Sequence, residues 1–269
     1  MLVAQLDTRR IEAREAARGP AYHCPRCRRP VILKKGRIVT HHFAHKPPVD
    51  CAWGRGETDA RREAKTLFRD EFARRGHRAA VEHEVASLPD DRRADVVVWS
   101  PAGHAYALEL QHTALGYASL EHRTLSYIRA GVRVIWVPFL RPGLLEGAKR
   151  LDGGEDGDIR IDRFPARPLE KWVHGFYYGR FWMYDPEGKA VWLARLTKHQ
   201  VFADHVAWYD DDGEQQHAGG YWKTSKRWRT LTLWGPFGLD RIKVEPLWRK
   251  PVEMGRHRYP GGMVATFTV

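Results

Sequence analysis

The chain has 269 residues, 43% of them hydrophobic, so it is long enough to bury a core and to form more than one domain. No apolar run approaches the roughly 20 residues that span a bilayer, and no signal-peptide core is visible, so we expect a cytoplasmic protein with no membrane partner. Lys and Arg outnumber Asp and Glu by 45 to 33, which favours a polyanionic partner but also suits ordinary solvation of a large surface.

The three cysteines lie close together near the start of the chain, which favours zinc over a disulfide framework. Cys24 and Cys27 form a C-x-x-C turn that supplies two thiolates, and Cys51 supplies a third. We expect His45 to be the fourth ligand, with His42 as the alternative. Weaker candidates are the remaining histidines of this segment, His23 and His41. Unliganded thiols or a redox pair are the other interpretations of the cysteines.

Residues 57–75 are predicted to form an amphipathic helix, because apolar residues recur at intervals of three and four and Gly76 stands where a helix usually ends. Glu57 is placed in its first turn, with Arg61 and Lys65 following on the same face. The plain interpretation of this spacing is a ladder of i, i+4 ion pairs, each worth tenths of a kcal/mol.

A strand near 79–86 and a turn at 89–91 precede a predicted hairpin, in which two apolar strands flank a turn at 100–103. Asp95 stands at the head of the first strand of this hairpin. Glu109 and Gln111 share one face of the second, because side chains alternate along a strand. A solvated sheet face is one interpretation. In a sheet covered by helices, however, a carboxylate pair requires a cation to offset desolvation and repulsion.

A helix over 114–130 and an apolar strand over 132–137 complete a predicted βαβ unit, giving the order α-β-β-β-α-β from Glu57. Arg123 and Tyr127 lie four residues apart on this helix. They are equally well interpreted as a packing pair and as part of a phosphate-binding face.

After residue 138 the pattern changes, and 153–158 is predicted to be an exposed acidic linker or loop. The rest of the chain holds eight of the eleven tryptophans and is predicted to be mostly β with some helix. Within it, aromatic and basic residues alternate over 221–229, a composition that holds single-stranded nucleic acid by stacking and phosphate contacts, although most tryptophans in such a domain are core. The residues singled out here are Trp222, Lys226, Arg227 and Trp228.

These pieces together resemble the competence protein CoiA-like family. The matching features are Cys24-Pro25-x-Cys27, His42-Phe43-Ala44-His45 with Cys51, Glu57 with Lys65, Arg93-Ala94-Asp95, Glu109-Leu110-Gln111, Arg123 with Tyr127, and Val134-Ile135-Trp136. The resemblance implies an α/β, restriction-endonuclease-like PD-(D/E)XK core behind a zinc-finger-like module, associated with DNA uptake and recombination proteins. The chain departs from the wider pattern in having Gln111 where lysine is most common and Arg61 where the family tends to have histidine.

The expected activity is hydrolysis of DNA with Mg²⁺ or Mn²⁺ held by Asp95 and Glu109, while Gln111 positions the attacking water and Glu57 completes the metal shell. The residues expected to contact nucleic acid in this core are Lys65, Arg93, Arg123 and Tyr127. The expected domains are a zinc-finger-like module (1–54), the nuclease-like core (55–150) and an aromatic-rich, mostly β accessory domain (151–269). The alternatives are a DNA-binding protein on a degenerate nuclease fold and a protein-interaction scaffold.

Overall fold

The structure is a computed structural model that describes residues 1–48, 50–51, 53, 57–86, 92–155, 157–255 and 257–269. The predicted turn at 89–91 lies outside the described residues, as does Asp156 of the predicted acidic loop. Within the described residues the fold is mixed α/β, mostly strands with three α-helices. None of the helices in these residues is long and apolar enough to cross a membrane.

The first part of the chain forms an antiparallel sheet with strand order β2-β1-β3-β4-β5. Its strands are β1 (Val3–Leu6), β2 (Arg9–Glu12), β3 (Tyr22–His23), β4 (Pro30–Lys34) and β5 (His42–His45). A small cluster that includes Tyr22, Phe43 and two of the cysteines, Cys24 and Cys51, forms its core. The cysteines therefore lie inside the packing of this sheet.

The middle part forms a four-stranded sheet of order β6-β7-β8-β9, in which only the β8–β9 pair is parallel. Its elements, in chain order, are α1 (Asp59–Arg74), β6 (Arg78–Val85), β7 (Arg92–Trp99), β8 (Ala105–Gln111), α2 (Tyr117–Arg129) and β9 (Arg133–Pro138). Alternating side chains divide the two faces. Phe68 and Phe72 of α1 share one core cluster with Val96, whereas Leu120 of α2 shares another with Val97.

Helix α1 begins later than the sequence predicts. Thr58 is its N-cap, and the Thr58 hydroxyl accepts a hydrogen bond from the Arg61 amide at 3.3 Å. Glu57 therefore precedes the helix and does not lie in its first turn. Gly76, at φ +82°, follows the helix in the left-handed conformation that suits glycine, as expected.

The last part of the chain adds a five-stranded sheet of order β10-β11-β16-β13-β12 and three two-stranded pairs. Its elements are β10 (Lys149–Arg150), β11 (Ile159–Phe164), α3 (Pro168–Phe176), β12 (Phe181–Asp185), β13 (Ala190–Ala203), β14 (Val206–Tyr209), β15 (Gln215–Ala218), β16 (Tyr221–Gly238), β17 (Lys243–Arg249), β18 (Val252–Met254), β19 (His257–Tyr259) and β20 (Gly262–Thr268). The predicted acidic loop joins β10 to β11, which pair as a hairpin. Asp158 at its end is buried and accepts a hydrogen bond from the Gly235 amide at 3.2 Å.

The middle and last parts share their cores. Trp172 and Trp192 belong to the same cluster as Trp136 of β9. The Tyr177 hydroxyl accepts a hydrogen bond from the Trp136 amide at 3.1 Å and lies 3.2 Å from the Val134 carbonyl, to which it donates. The backbone of β9, on the outside of the four-stranded sheet, is thus bonded by a side chain from the last part.

Candidate active site and metal centre

The carboxylate of Asp95 lies where strands β7 and β8 separate. Their pairing runs from Trp99 and Ala105 to Val96 and Leu108 and stops there. One residue further on, the Asp95 Oδ2 atom accepts the Leu110 amide at 2.9 Å, so a side chain takes the place of a ladder carbonyl. Asp95 is 4% exposed.

Two cations of helix α1 neutralise Asp95. The Arg61 Nη2 atom lies 2.9 and 2.8 Å from its two carboxylate oxygens, and the Lys65 ammonium lies 3.2 Å from Oδ1. Burial raises the pKa of Asp95, but the nearby Arg61 and Lys65 charges outweigh burial and lower the pKa to about 2. Asp95 is therefore an ionised carboxylate in a site from which water is largely excluded.

Lys65 is the centre of this cluster. Its side chain is 1% exposed, and its ammonium contacts Glu57, Glu82 at 3.0 Å and Asp95. Burial favours the neutral amine, but the three carboxylates outweigh it and raise the Lys65 pKa. The sequence predicts that Lys65 contacts phosphate, whereas the structure buries its ammonium among three carboxylates. Helical spacing indicates which face a residue lies on but not how deeply that face is buried.

Glu82 is the site residue that the sequence analysis missed. It lies in β6 with φ +49°, and its carboxylate accepts the Leu2 amide at 2.9 Å. Arg93 approaches the same carboxylate at 3.4 Å and also lies over the Trp53 ring, at 4.3 Å from its centroid. The only signal in the sequence is an acidic residue inside a strand predicted to neighbour Asp95.

Glu109 has a separate pair of partners on helix α2. It is fully buried, and its carboxylate accepts hydrogen bonds from Arg123 Nη2 at 2.6 Å and from the Tyr127 hydroxyl. Burial and the Glu109 charge together raise the Tyr127 pKa well above its usual value. Arg123 also lies over the Trp136 ring, at 5.2 Å from its centroid. Arg123 and Tyr127 thus both bind Glu109, and their role in a phosphate-binding face stays a prediction.

Gln111 is buried on the same strand as Glu109. Its amide nitrogen donates to the Thr113 carbonyl at 3.0 Å and to the Thr113 hydroxyl at 2.7 Å. The structure thus brings Glu57 and Asp95 together around Lys65. It leaves Glu109 and Gln111 on the neighbouring strand, each with partners of its own.

Whether a divalent cation can bind at this site depends on the balance between the carboxylates and the cations around them. The carboxylates are the hard oxygen ligands that Mg²⁺ prefers. Against the four acids Glu57, Glu82, Asp95 and Glu109 stand four side-chain cations, Arg61, Lys65, Arg93 and Arg123, and the ammonium of Met1, which lies 2.8 Å from Glu57. The oxygens of Asp95 and Glu109 would be available to a divalent ion only with Arg61 and Arg123 displaced from them.

A second cluster joins Cys24, Cys27, His45 and Cys51, whose ligand atoms all lie within 4.8 Å of one another. The Cys24 and Cys51 sulfurs are 3.9 Å apart, and the Cys27 sulfur is 3.3 Å from His45 Nε2. Zinc–sulfur bonds of about 2.3 Å would place tetrahedral sulfurs about 3.8 Å apart, so the spacing suits a zinc ion. His42 instead directs its Nδ1 atom at the Thr40 carbonyl, 2.9 Å away. The cluster can hold a metal such as zinc, with His45 as the fourth ligand.

The predicted stacking residues lie on β16, in a different sheet from Asp95 and Glu109. Trp222, Lys226 and Arg227 are exposed, and Trp228 is half-buried. They form a surface distinct from the carboxylate cluster.

Comparison with known proteins gives the class first. Residues 57–208 match the family model of the competence protein CoiA, nuclease-like domain, so the sheet that carries Asp95 and Glu109 belongs to a nuclease-like domain. Residues 4–54 match the model of the competence protein CoiA, N-terminal domain. The chain therefore belongs to the competence protein CoiA family, which confirms the resemblance noted in the sequence and indicates a competence-related, nuclease-like function. Searches of curated proteins and of solved structures gave no match.

Proposed function

We propose that the protein is a metal-dependent nuclease with a PD-(D/E)XK, restriction-endonuclease-like core that hydrolyses DNA during uptake, recombination or repair. The supporting observation is a pair of buried carboxylates, Asp95 and Glu109, on neighbouring strands at the point where strand pairing stops. Two buried carboxylates supply the hard oxygen ligands that divalent metal ions prefer, and buried ionisable groups with specific charge partners are common at functional sites.

Asp95 and Glu109 would hold Mg²⁺ or Mn²⁺ in this proposal, and the bound ion would supply the Lewis-acid chemistry that activates the scissile phosphate and an attacking water. Arg61 and Arg123 leave the carboxylates and bind phosphate oxygens, because a guanidinium forms bidentate pairs with either anion. Gln111 orients the water with its amide. A neutral amide supplies no positive charge, and the arginines provide it instead.

The remaining residues position this set. Lys65, buried among three carboxylates, holds Glu57 beside the site rather than meeting the substrate. Tyr127 fixes Glu109 by its hydroxyl. Arg93, whose side chain is partly exposed, contacts the DNA backbone.

We also propose the division into a zinc-finger-like module (1–54), a nuclease-like core (55–150) and an accessory domain (151–269). Zinc bound by Cys24, Cys27, His45 and Cys51 would have four protein ligands and no open position, so its role is structural. The nuclease-like family model continues to residue 208, so the accessory domain includes part of what that model describes.

A second candidate is a DNA-binding protein that does not cut. The observation that favours it is the pairing of both Asp95 oxygens with Arg61, which gives this carboxylate a counter-charge without a metal. Gln111 in place of a lysine points the same way. This candidate predicts tight, salt-sensitive DNA binding and no product with any divalent metal.

The test is cleavage of labelled single- and double-stranded DNA with Mg²⁺ or Mn²⁺. Asp95→Asn and Glu109→Gln keep the shapes of the buried side chains, and Asp162→Asn, at a surface ion pair with Lys149, is the matched control. Product from the wild type and the control, but not from the two site variants, supports the nuclease. Product retained by Asp95→Asn overturns this site assignment. Salt-sensitive binding without product favours the second candidate. If the protein shows no binding and no product, both candidates are contradicted and a protein-interaction scaffold is the remaining interpretation.

A further inference from the structure

Two strands of the last sheet are much longer than their neighbours. β12 pairs with β13 only over Ala190–Ala194, and β11 reaches no further along β16 than Arg229. Beyond that point, within the described residues, β13 and β16 pair only with each other. We call this two-stranded extension, residues 198–203 and 221–229, the basic ribbon.

The charges of the basic ribbon all have one sign. It contains no Asp or Glu, and its cations are Lys198, Lys223, Lys226, Arg227 and Arg229. None of these side chains forms an ion pair with a carboxylate of the described chain. The connecting segment 204–220 is the opposite, with five acidic residues and no Lys or Arg. A polyanion is therefore attracted to the ribbon and repelled from its tip, which limits where it binds.

Aromatic rings are exposed on the basic ribbon. Phe202 and Trp222 are directly opposite each other in the strand pair, with ring centroids 5.5 Å apart, and they are 48% and 68% exposed. Tyr221 beside them is also exposed. A two-stranded ribbon is marginally stable alone in water, and it gains stability when a partner covers such rings.

A bulge in β16, close in sequence to these rings, carries two of the cations. The pairing passes from Gln200 opposite Thr224 to Lys198 opposite Arg229, so residues 225–228 face His199 alone. Ser225 is buried, and its hydroxyl accepts the Trp228 amide at 2.9 Å, which closes the bulge.

The two residues at the crest of this bulge, Lys226 and Arg227, are exposed. The Arg227 guanidinium lies 4.4 Å from the Trp228 ring centroid. A cation held over an aromatic ring is thus fixed within a few residues of the Phe202–Trp222 pair.

We propose that the basic ribbon is a binding site for single-stranded nucleic acid. Bases stack on Trp222 and Phe202, and phosphates meet Lys223, Lys226 and Arg227. The open rings favour single strands over a duplex, whose bases already stack on one another and are not available to a protein ring. This proposal rests on the proposed function for one point, that the nucleic acid is DNA. The ribbon adds that the protein binds this DNA as single strands.

The test is fluorescence anisotropy of a labelled oligothymidylate with the full chain, without added divalent metal so that no cleavage occurs. Trp222→Ala is expected to weaken binding roughly fivefold or more, and Trp222→Phe to retain most of it, because a phenyl ring still stacks. Trp248→Ala is the matched control, since Trp248 is 60% exposed on β17, outside the ribbon. Lys226→Gln with Arg227→Gln should weaken binding and reduce its salt dependence.

Equal affinities of Trp222→Ala and Trp248→Ala would overturn the proposal, as would binding of a duplex as tight as that of the single strand. Because Trp222 is exposed, unchanged circular dichroism and melting temperature are expected for its variants. The proposal for the ribbon and the proposal for the nuclease site can be contradicted separately. If Asp95→Asn binds DNA but does not cut it, the result assigns cleavage to the carboxylate site. If Trp222→Ala still cuts but binds weakly, the result assigns binding to the ribbon.

Discussion

The Arg61 guanidinium of helix α1 contacts both carboxylate oxygens of Asp95 on β7, at 2.9 and 2.8 Å. This pairing gives the buried carboxylate a counter-charge in the position where a divalent ion would bind. In the proposed nuclease, Arg61 and the metal ion would compete for Asp95, and the metal affinity of the site would report on that competition.

Replacing Arg61 with glutamine should raise the affinity for Mn²⁺. Loss of the Arg61 charge leaves Asp95 with the Lys65 ammonium and the Leu110 amide as its remaining partners, and we expect about a tenfold tighter dissociation constant, equivalent to about 1.4 kcal/mol. The measurement is isothermal titration calorimetry with Mn²⁺. Arg74→Gln, at the exposed end of the same helix, is the control and should bind as the wild type does. Unchanged or weaker binding by Arg61→Gln would show that Arg61 does not compete with the metal.

The stability of the protein should depend on the charge of Asp95 in acid. Its pKa falls from 3.8 to about 2 in the folded protein, so the ionised group stabilises the fold above about pH 4, and this stabilisation is lost as the pH falls through about 2. The shift corresponds to about 2 kcal/mol for this buried group.

Urea unfolding of the wild type and Asp95→Asn at several pH values measures this effect. The difference between the two proteins should be largest near neutrality and shrink between about pH 4 and pH 2. Other paired carboxylates titrate in both proteins, so only the difference between them isolates Asp95. A difference that stays constant over this range would contradict the assignment.

Lys65 should be among the most sensitive positions for stability. Lys65→Met leaves Glu57, Glu82 and Asp95 without the cation that they share, and the expected loss is about 3–5 kcal/mol in the free energy of unfolding. Lys189→Met removes a half-exposed pair with Glu63 and should cost less than about 1 kcal/mol. Similar losses for the two variants in urea unfolding would show that the buried cluster contributes little.

Zinc binding should distinguish His45 from His42. We expect about one equivalent of zinc in protein purified without chelator, retained by His42→Ala and lost by His45→Ala, because only His45 directs a ring nitrogen at the thiols. Elemental analysis by mass spectrometry measures this. Zinc retained by His45→Ala, or lost by His42→Ala, would be evidence for a different fourth ligand.

The regular spacing of apolar residues predicted most of the helices and strands that position the site. Helices α1 and α2 and strands β7, β8 and β9 lie within a few residues of their predicted bounds, because their apolar residues recur at regular intervals. The same patterns placed Asp95 and Glu109 on adjoining strands. The choice between His42 and His45 stayed open, because both lie on the four-residue strand β5 and alternation alone does not say which face meets the cysteines.

The features that the sequence did not predict arise from irregular backbone or from contacts between separate elements. Glu82 has a positive φ inside a strand, so alternation does not describe where its side chain points. Lys65 is buried among Glu57, Glu82 and Asp95, which lie on three different segments of the chain that helical periodicity does not bring together. The length of the basic ribbon was equally hidden, since it is set by where β11 and β12 stop pairing rather than by any residue of β13 or β16.

The Tyr177 hydroxyl, which bonds the Trp136 amide and the Val134 carbonyl, has a bearing on solubility. β9 is the outermost strand of its sheet, and an outermost strand with open backbone groups is a template on which other chains add strands. The last part of the chain therefore also acts as a guard against self-association. A chain cut after residue 150 would expose β9 and the aromatic core behind it, and we expect it to aggregate rather than to behave as a smaller soluble nuclease-like domain.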